Sequence, residues 1–117
     1  MEPSLPADLT AEDAKLVTLA RAARARTRAA EGAAVRDTDG RTYAACTVQL
    51  DTVLLSALQL AVAMAVSSGV KGIEAAAVIT DGDPAAVDVE VVRYFGGAAL
   101  PVVVANGNGE VRDVVHT

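Results

Sequence analysis

Very few side chains in this sequence could carry out covalent or metal-dependent chemistry. The chain has one cysteine, Cys46, and one histidine, His116, so the candidate ligands for a metal ion reduce to these two and Asp88. A catalytic zinc ion needs about three protein ligands. Ser56 is a candidate nucleophile, but an alcohol needs a general base, and the only histidine is His116. The sequence therefore favours neither a metal site nor a nucleophilic centre.

Length, composition and charge limit the classes of protein to which the chain can belong. Its 117 residues fit one domain, and 52% hydrophobic with 21% charged residues is a globular composition. A net charge of −5 argues against nucleic-acid binding, because phosphate contacts need clustered Lys and Arg. One basic cluster lies opposite the apolar side of a helix, which favours a solvated face over an anion site. Its members are Arg21, Arg24, Arg26 and Arg28.

The sequence predicts no targeting or membrane segment. The N-terminal stretch MEPSLPADL has neither the basic region nor the apolar run of a signal peptide. The stretch LLSALQLAVAMAV (54–66) is too short to cross a bilayer and favours a buried helix. A single cysteine cannot form an internal disulfide and fits a reducing compartment. We therefore expect a cytoplasmic protein with no membrane or nucleic-acid partner.

Capping residues and apolar periodicity predict three helices. Thr10 can cap the first, with Asp13 three residues on in a capping-box arrangement, and Asp51 or Thr52 can cap the second. The second helix is apolar nearly all round, so it should be covered on several sides. A turn that contains a proline, TDGDP, precedes the third helix. The predicted helices cover residues 10–30, 53–68 and 87–95.

Five strands are predicted between and after these helices. GAAVRDT and RTYAACTV flank Asp39-Gly40, a strong hairpin signal, and NGNGE is a second hairpin turn before an edge-like strand, VRDVV. IEAAAVIT and PVVVA read as strands buried on both faces. The order α-β-β-α-β-α-β-β predicts an α/β fold, a five-stranded mixed sheet with helices on both faces. This single domain covers residues 10–117 and follows a flexible tail of residues 1–9.

The order of elements and several strings resemble the small homotetrameric cytidine deaminases. GAAVRDTDGRTYAACTVQ resembles the family's two hairpin strands that end in Cys-Asn-Val-Glu. AAAVITDGDP resembles the strand before the second zinc motif, and LPVVVANGNGEVRDV resembles the last two strands. The similarity extends from Ala14 to Val115. It implies the cytidine deaminase-like three-layer α/β/α sandwich and a homo-oligomer, either a dimer or a tetramer.

The resemblance is absent where the family keeps its chemistry. There, Cys-Ala-Glu or His-Ala-Glu opens the second helix and Pro-Cys-x-x-Cys opens the third; the Cys and His side chains hold zinc and the Glu transfers protons. Here Ser56 and Leu58 stand at the Cys and Glu positions of the first motif, and Ala85 and Asp88 at the cysteines of the second. Leu58 cannot carry a proton, and Asp88 alone offers a carboxylate. We therefore expect no zinc cofactor and no catalytic residues.

The resemblance also implies an altered nucleoside pocket. Thr47 and Gln49 stand where the family has the Asn and Glu that hold the ribose hydroxyls. Both side chains can still form hydrogen bonds, so a nucleoside-like small molecule would be contacted by Thr47, Gln49, Ser56 and Asp88. The alternative is that Thr47 and Gln49 are strand-end residues that satisfy local backbone groups.

Three functions are open. The first is a catalytically inactive cytidine deaminase-like protein, a pseudoenzyme that acts through self-association or by binding a partner protein. The second is a module that binds a nucleoside or another small molecule without turnover. The third is a hydrolase or cytidine deaminase with an unrecognised route, for which Ser56 would be the nucleophile and His116 the base. The lost ligands and the apolar second helix favour the first.

Overall fold

The chain folds as three helices packed on the two faces of one main sheet. The computed structural model describes residues 9–117. The helices are α1 (Ala11–Thr27), α2 (Ala57–Ser67) and α3 (Glu90–Gly96), and a 3-10 turn covers Pro84–Ala86. Of the predicted tail, residues 1–8 lie outside the described residues, whereas Leu9 is half-buried and packs against the core beside α1.

Five of the strands form the predicted mixed sheet, in the order β2-β1-β5-β6-β7. Neighbours β5 and β6 are parallel, and the other neighbouring pairs are antiparallel. The connection through α2 passes over β1, so β2 and β5 run in the same direction without pairing. Two further short strands, β3 and β4, pair only with each other. The strands are β1 (Gly32–Asp37), β2 (Thr42–Cys46), β3 (Val48–Gln49), β4 (Leu54–Leu55), β5 (Ile73–Ile79), β6 (Pro101–Ala105) and β7 (Val111–His116).

The core has two layers, one on each face of the main sheet. Helix α1 buries Leu16 and Ala20 against one face, and α2 and α3 bury Leu58 and Val92 against the other. Small residues bring α1 close to β1: a Cβ atom on Gly32 would lie 2.1 Å from the Ala20 carbonyl oxygen. The predicted α/β/α sandwich is therefore confirmed.

The β1–β2 hairpin is held by a buried carboxylate at its turn. Asp37, 2% exposed, accepts hydrogen bonds from the backbone N–H groups of Asp39 and Arg41, each at 2.9 Å, and from the Tyr43 hydroxyl at 3.1 Å. Burial opposes ionisation of this carboxyl, but these hydrogen bonds prevail and lower its pKa. Gly40 has a φ of 86°, which suits glycine, and the predicted Asp-Gly hairpin is confirmed.

Helix α1 ends earlier than its sequence predicts. Its last residue is Thr27 rather than Ala30, because Arg28 takes a left-handed conformation with a φ of 55° and its backbone N–H bonds to the Arg24 carbonyl oxygen. At the other end, Thr10 caps the helix as predicted by accepting a bond from the Asp13 N–H at 3.0 Å. The Asp13 carboxylate does not complete a capping box, since it pairs with Arg36 of β1 at 2.9 Å.

Within residues 9–117, no helix combines the length and apolar character needed to cross a membrane.

Candidate functional site

An open cleft of about 510 Å³ lies where the loops after α1, β2 and β5 meet the start of α2. Of the four residues expected to contact a ligand, Thr47, Gln49 and Ser56 line this cleft together. Asp88 does not belong to its lining within the described part of the chain. The remaining polar side chains on its walls are Glu31, Thr80 and Asp81.

Ser56 lies at the edge of the cleft as the N-cap of α2. Its Oγ accepts a hydrogen bond from the Gln59 N–H at 3.0 Å, and the Gln59 side chain accepts one from the Ser56 N–H at 2.9 Å. This capping box replaces the cap predicted at Asp51 or Thr52, because Leu54–Leu55 pairs with Val48–Gln49 before the helix begins. The hydroxyl is thus engaged in helix capping.

Leu58 is part of the hydrophobic core. The side chain is 2% exposed and belongs to the cluster between α2 and the main sheet. This residue of the first turn of α2 is therefore buried in an apolar environment, with no group that could exchange a proton with a ligand in the cleft.

Ala85 and Asp88 lie on an exposed segment before α3. Asp83 caps the short 3-10 turn by accepting a bond from the Ala85 N–H at 3.0 Å, and Asp88 accepts one from the Glu90 N–H at 2.9 Å. The third helix begins at Glu90 rather than at the Val87 that the sequence predicts, because the chain is extended at Val87 and Asp88 accepts a hydrogen bond in the turn that follows. Neither Ala85 nor Asp88 therefore occupies the first turn of α3.

The Thr47 hydroxyl forms hydrogen bonds with the backbone of a neighbouring loop. Its Oγ1 accepts a bond from the Glu31 N–H at 3.0 Å and lies 3.3 Å from the Glu31 carbonyl oxygen, to which it can donate. These contacts join the end of β2 to the loop that leads into β1. Gln49, on β3, is exposed and its side chain has no hydrogen bond among residues 9–117.

Asp81 is the cleft residue that the sequence interpretation missed. Its carboxylate accepts bonds from Arg24 Nη2 at 2.7 Å and from the Gly107 N–H at 3.1 Å. The Arg24 guanidinium, followed by the Gly107 hydrogen bond, lowers the pKa of this carboxyl. In the sequence TDGDP, Asp81 reads as an ordinary turn residue, and only the tertiary contact between α1 and this turn gives it an arginine partner.

The side chains present do not fit a catalytic zinc ion. Ser56 is engaged as a cap, Leu58 and Ala85 have no ligand atom, and no group of three or more His, Cys, Asp or Glu within residues 9–117 is placed to hold a metal. Cys46 ends β2 and His116 ends β7, which are the opposite edges of the main sheet. At about 4.8 Å per strand, these two side chains are too far apart to share an ion.

Comparison with solved structures shows the same architecture in cytidine deaminases. The enzyme from Burkholderia pseudomallei is 28% identical, with a TM-score of 0.71 over 88% of this chain and 89% of that one. A mutant cytidine deaminase from Mycobacterium tuberculosis is 27% identical, with a TM-score of 0.64 over 75% of this chain and 81% of that one. The cytidine deaminase from Mycobacterium leprae, 19% identical with a TM-score of 0.67 over 87% and 90%, shares the fold.

No curated protein matches the chain at a significant level. A family profile described as cytidine deaminase-like matches residues 9–109, which is most of the chain. The chain therefore belongs to the cytidine deaminase-like family.

Proposed function

We propose that this chain is a catalytically inactive cytidine deaminase-like protein that acts through self-association. The proposal is carried by the side chains at the positions where the resemblance implies zinc ligands and a proton-transferring Glu. Ser56 caps a helix, and Leu58 belongs to the core. Ala85 and Asp88 lie on an exposed turn.

Loss of the proton-transferring residue matters as much as loss of the ligands. General acid–base catalysis typically contributes about 10²–10⁴-fold to a rate. Position 58 is buried in the core, so a carboxylate could stand there only if α2 repacked against the sheet. Ser56 would need a general base to act as a nucleophile. The only histidine, His116, ends the edge strand β7 and does not line the cleft among the described residues.

Metal content and turnover test the loss of catalysis directly. Purified protein is expected to hold no stoichiometric zinc by elemental analysis, and cytidine or deoxycytidine is expected to release no ammonia above the blank. The Burkholderia pseudomallei enzyme, assayed in parallel, is the positive control. Equimolar zinc, or turnover that Ser56→Ala abolishes, would contradict the proposal.

An exposed apolar surface formed by α2 and α3, the α2–α3 face, supports self-association. Val66 is 46% exposed and Tyr94 is 92% exposed. Together with Val62, Val91 and Phe95, among others, they line an almost wholly apolar groove. The sequence predicts that α2 is covered on several sides, whereas within one chain this side of the helix faces solvent.

The charge distribution favours a second copy of the chain as the partner that covers the α2–α3 face. Residues 52–70, which include all of α2, contain no charged side chain, and the two charged residues of α3, Glu90 and Arg93, pair with each other, while the whole chain carries a net charge of −5. Two copies repel each other through their overall charge, and they repel least when they meet through a neutral face. Exposed apolar patches of this kind mark interaction sites. Contact through the α2–α3 face therefore buries apolar area, and the carboxylate of Glu90 on α3 is already paired with Arg93.

Sedimentation velocity of Val66→Glu tests the α2–α3 face. Wild-type protein is expected to sediment as a dimer or tetramer at micromolar concentration, and Val66→Glu as a monomer with an unchanged far-UV CD spectrum. Ala25→Glu, which adds the same charge on the exposed side of α1, is the matched control and should assemble like the wild type. Monomeric wild-type protein at every concentration tested would refute self-association and leave a partner protein as the occupant.

The open cleft favours a second function, the binding of a nucleoside-like small molecule without turnover. Its volume of about 510 Å³ is in the range of small-molecule sites, and the Gln49 side chain is exposed on one wall. A ligand at 100 times its Kd stabilises the folded state by about 2.7 kcal/mol. Thermal-shift titration with cytidine, uridine and their deoxy forms should then give a saturable rise in Tm that Gln49→Ala reduces. No rise at millimolar nucleoside would exclude this function.

A further inference from the structure

Three arginines of the predicted solvated face surround one surface pocket. The pocket measures about 380 Å³ and is lined by Arg21, Arg24 and Arg28 of α1 and its C-cap, together with Gly107 of the β6–β7 turn. Arg24 is not fully solvated, since its side chain is 23% exposed. The interpretation of these residues as a simple solvated face is therefore incomplete.

Two of the guanidinium groups are fixed by the backbone of adjacent loops. Arg21 donates from Nε to the Gly107 carbonyl oxygen at 3.0 Å, and Arg24 donates from Nε to the Ala29 carbonyl oxygen at 3.2 Å. Arg24 also pairs with Asp81 through Nη2. These bonds use a minority of the N–H groups, and a guanidinium offers five. The rest have no partner among residues 9–117.

Arg28 completes the pocket from the end of α1. Its left-handed backbone terminates the helix beside Arg24, and its exposed side chain forms no hydrogen bond or salt bridge within the described residues. Gly is the usual residue in this conformation, because a Cβ atom costs about 1–2 kcal/mol there. An arginine in this position places a third cationic group at the pocket at some cost to the backbone.

The charges around the pocket do not cancel. Three guanidinium groups line it, and Asp81 is the one carboxylate paired with any of them among residues 9–117. The negative end of the helix dipole accounts for cations in the last turn, where Arg24 and Arg26 both lie. It does not account for Arg21, one turn earlier, or for the convergence of three guanidinium groups. An anion in the pocket would relieve their mutual repulsion.

We propose that this arginine pocket binds the phosphate group of a small phosphorylated molecule. Guanidinium groups bind phosphate oxygens through paired, charge-assisted hydrogen bonds, and loops that already fix two of them reduce the entropy lost on binding. The acidic character of the rest of the chain excludes a long polyanion and leaves a small ligand. The proposal does not depend on the loss of deaminase chemistry.

Backbone amide NMR with defined phosphate probes locates and measures such binding. Ribose 5-phosphate should shift the amides of Arg28, Ala29 and Gly107 saturably, and ribose should not. A parallel titration with inorganic phosphate distinguishes recognition of phosphate alone from recognition of a phosphorylated molecule. Equal affinity for both probes assigns the pocket to phosphate alone and overturns the proposal of a larger ligand.

Variants of the pocket arginines provide the control. Arg28→Gln should weaken binding of ribose 5-phosphate about tenfold, as expected for one lost charge-assisted contact. Arg26→Gln, which removes the same charge from the same turn but outside the lining of the pocket, should bind like the wild type. Circular dichroism checks that each variant is folded. Absence of saturable shifts, or equal weakening by both substitutions, would refute a site at this pocket.

Discussion

The substitution Leu58→Glu tests whether position 58 belongs to a catalytic cleft or to the core. It restores the residue type that the resemblance implies at this position. In a functional cleft a carboxylate there would be accommodated, whereas here the side chain is 2% exposed within the cluster between α2 and the sheet. We therefore expect the substitution to destabilise the fold strongly.

Two terms set the size of the effect. Removing the buried leucine loses about 1.5–3 kcal/mol of hydrophobic stabilisation. Keeping the new carboxyl neutral at pH 7, starting from a pKa of about 4.3 in the unfolded chain, costs about 4 kcal/mol more. The sum of about 5–7 kcal/mol is comparable with the whole stability of a typical domain, about 5–15 kcal/mol.

Urea unfolding at two pH values separates these terms. Burial raises the pKa of the new carboxyl, so its ionisation penalty is absent below the unfolded-state pKa and grows as the pH rises above it. The loss relative to the wild type should therefore be about 3.5 kcal/mol smaller at pH 4 than at pH 7. Leu58→Met, which keeps the volume, should cost less than about 1.5 kcal/mol at both. A Leu58→Glu protein with wild-type stability at pH 7 would refute the assignment of position 58 to the core.

Three further outcomes follow from buried contacts. The pKa of Asp37 is lowered in the folded state, so the ionised carboxylate stabilises the fold above about pH 4. This stabilisation is lost as the pH falls through the folded-state pKa, so Tm should change less with pH in this range for Asp37→Asn than for the wild type. Arg36→Met leaves the buried Asp13 carboxylate without this partner and should cost about 3 kcal/mol in urea unfolding, near the lower end for a buried pair. Gly32→Ala places a Cβ atom 2.1 Å from the Ala20 carbonyl oxygen and should cost about 2–3 kcal/mol; an unchanged Tm would show that α1 shifts freely on β1.

Local patterns in the sequence determined the elements and the fold. Alternation between buried strands and helices, the Asp39-Gly40 turn and the Thr10 cap depend on residues close in the chain, and the structure contains each of them. The second and third helices begin later than predicted. Helix α2 begins later because Leu54–Leu55 pairs with Val48–Gln49 as a short strand. Strands of two residues are too short to show a periodic pattern in the sequence.

The absence of a thiolate, imidazole or carboxylate at Ser56, Leu58 and Ala85 is likewise a property of the sequence, because side-chain chemistry does not depend on the fold. The surroundings of these residues were decided by tertiary contacts. Burial of Leu58, exposure of one side of α2 and convergence of Arg21, Arg24 and Arg28 at one pocket arise between segments far apart in the chain. Periodicity identifies the apolar side of a helix, but only packing determines which parts of that side are covered and which charged side chains meet.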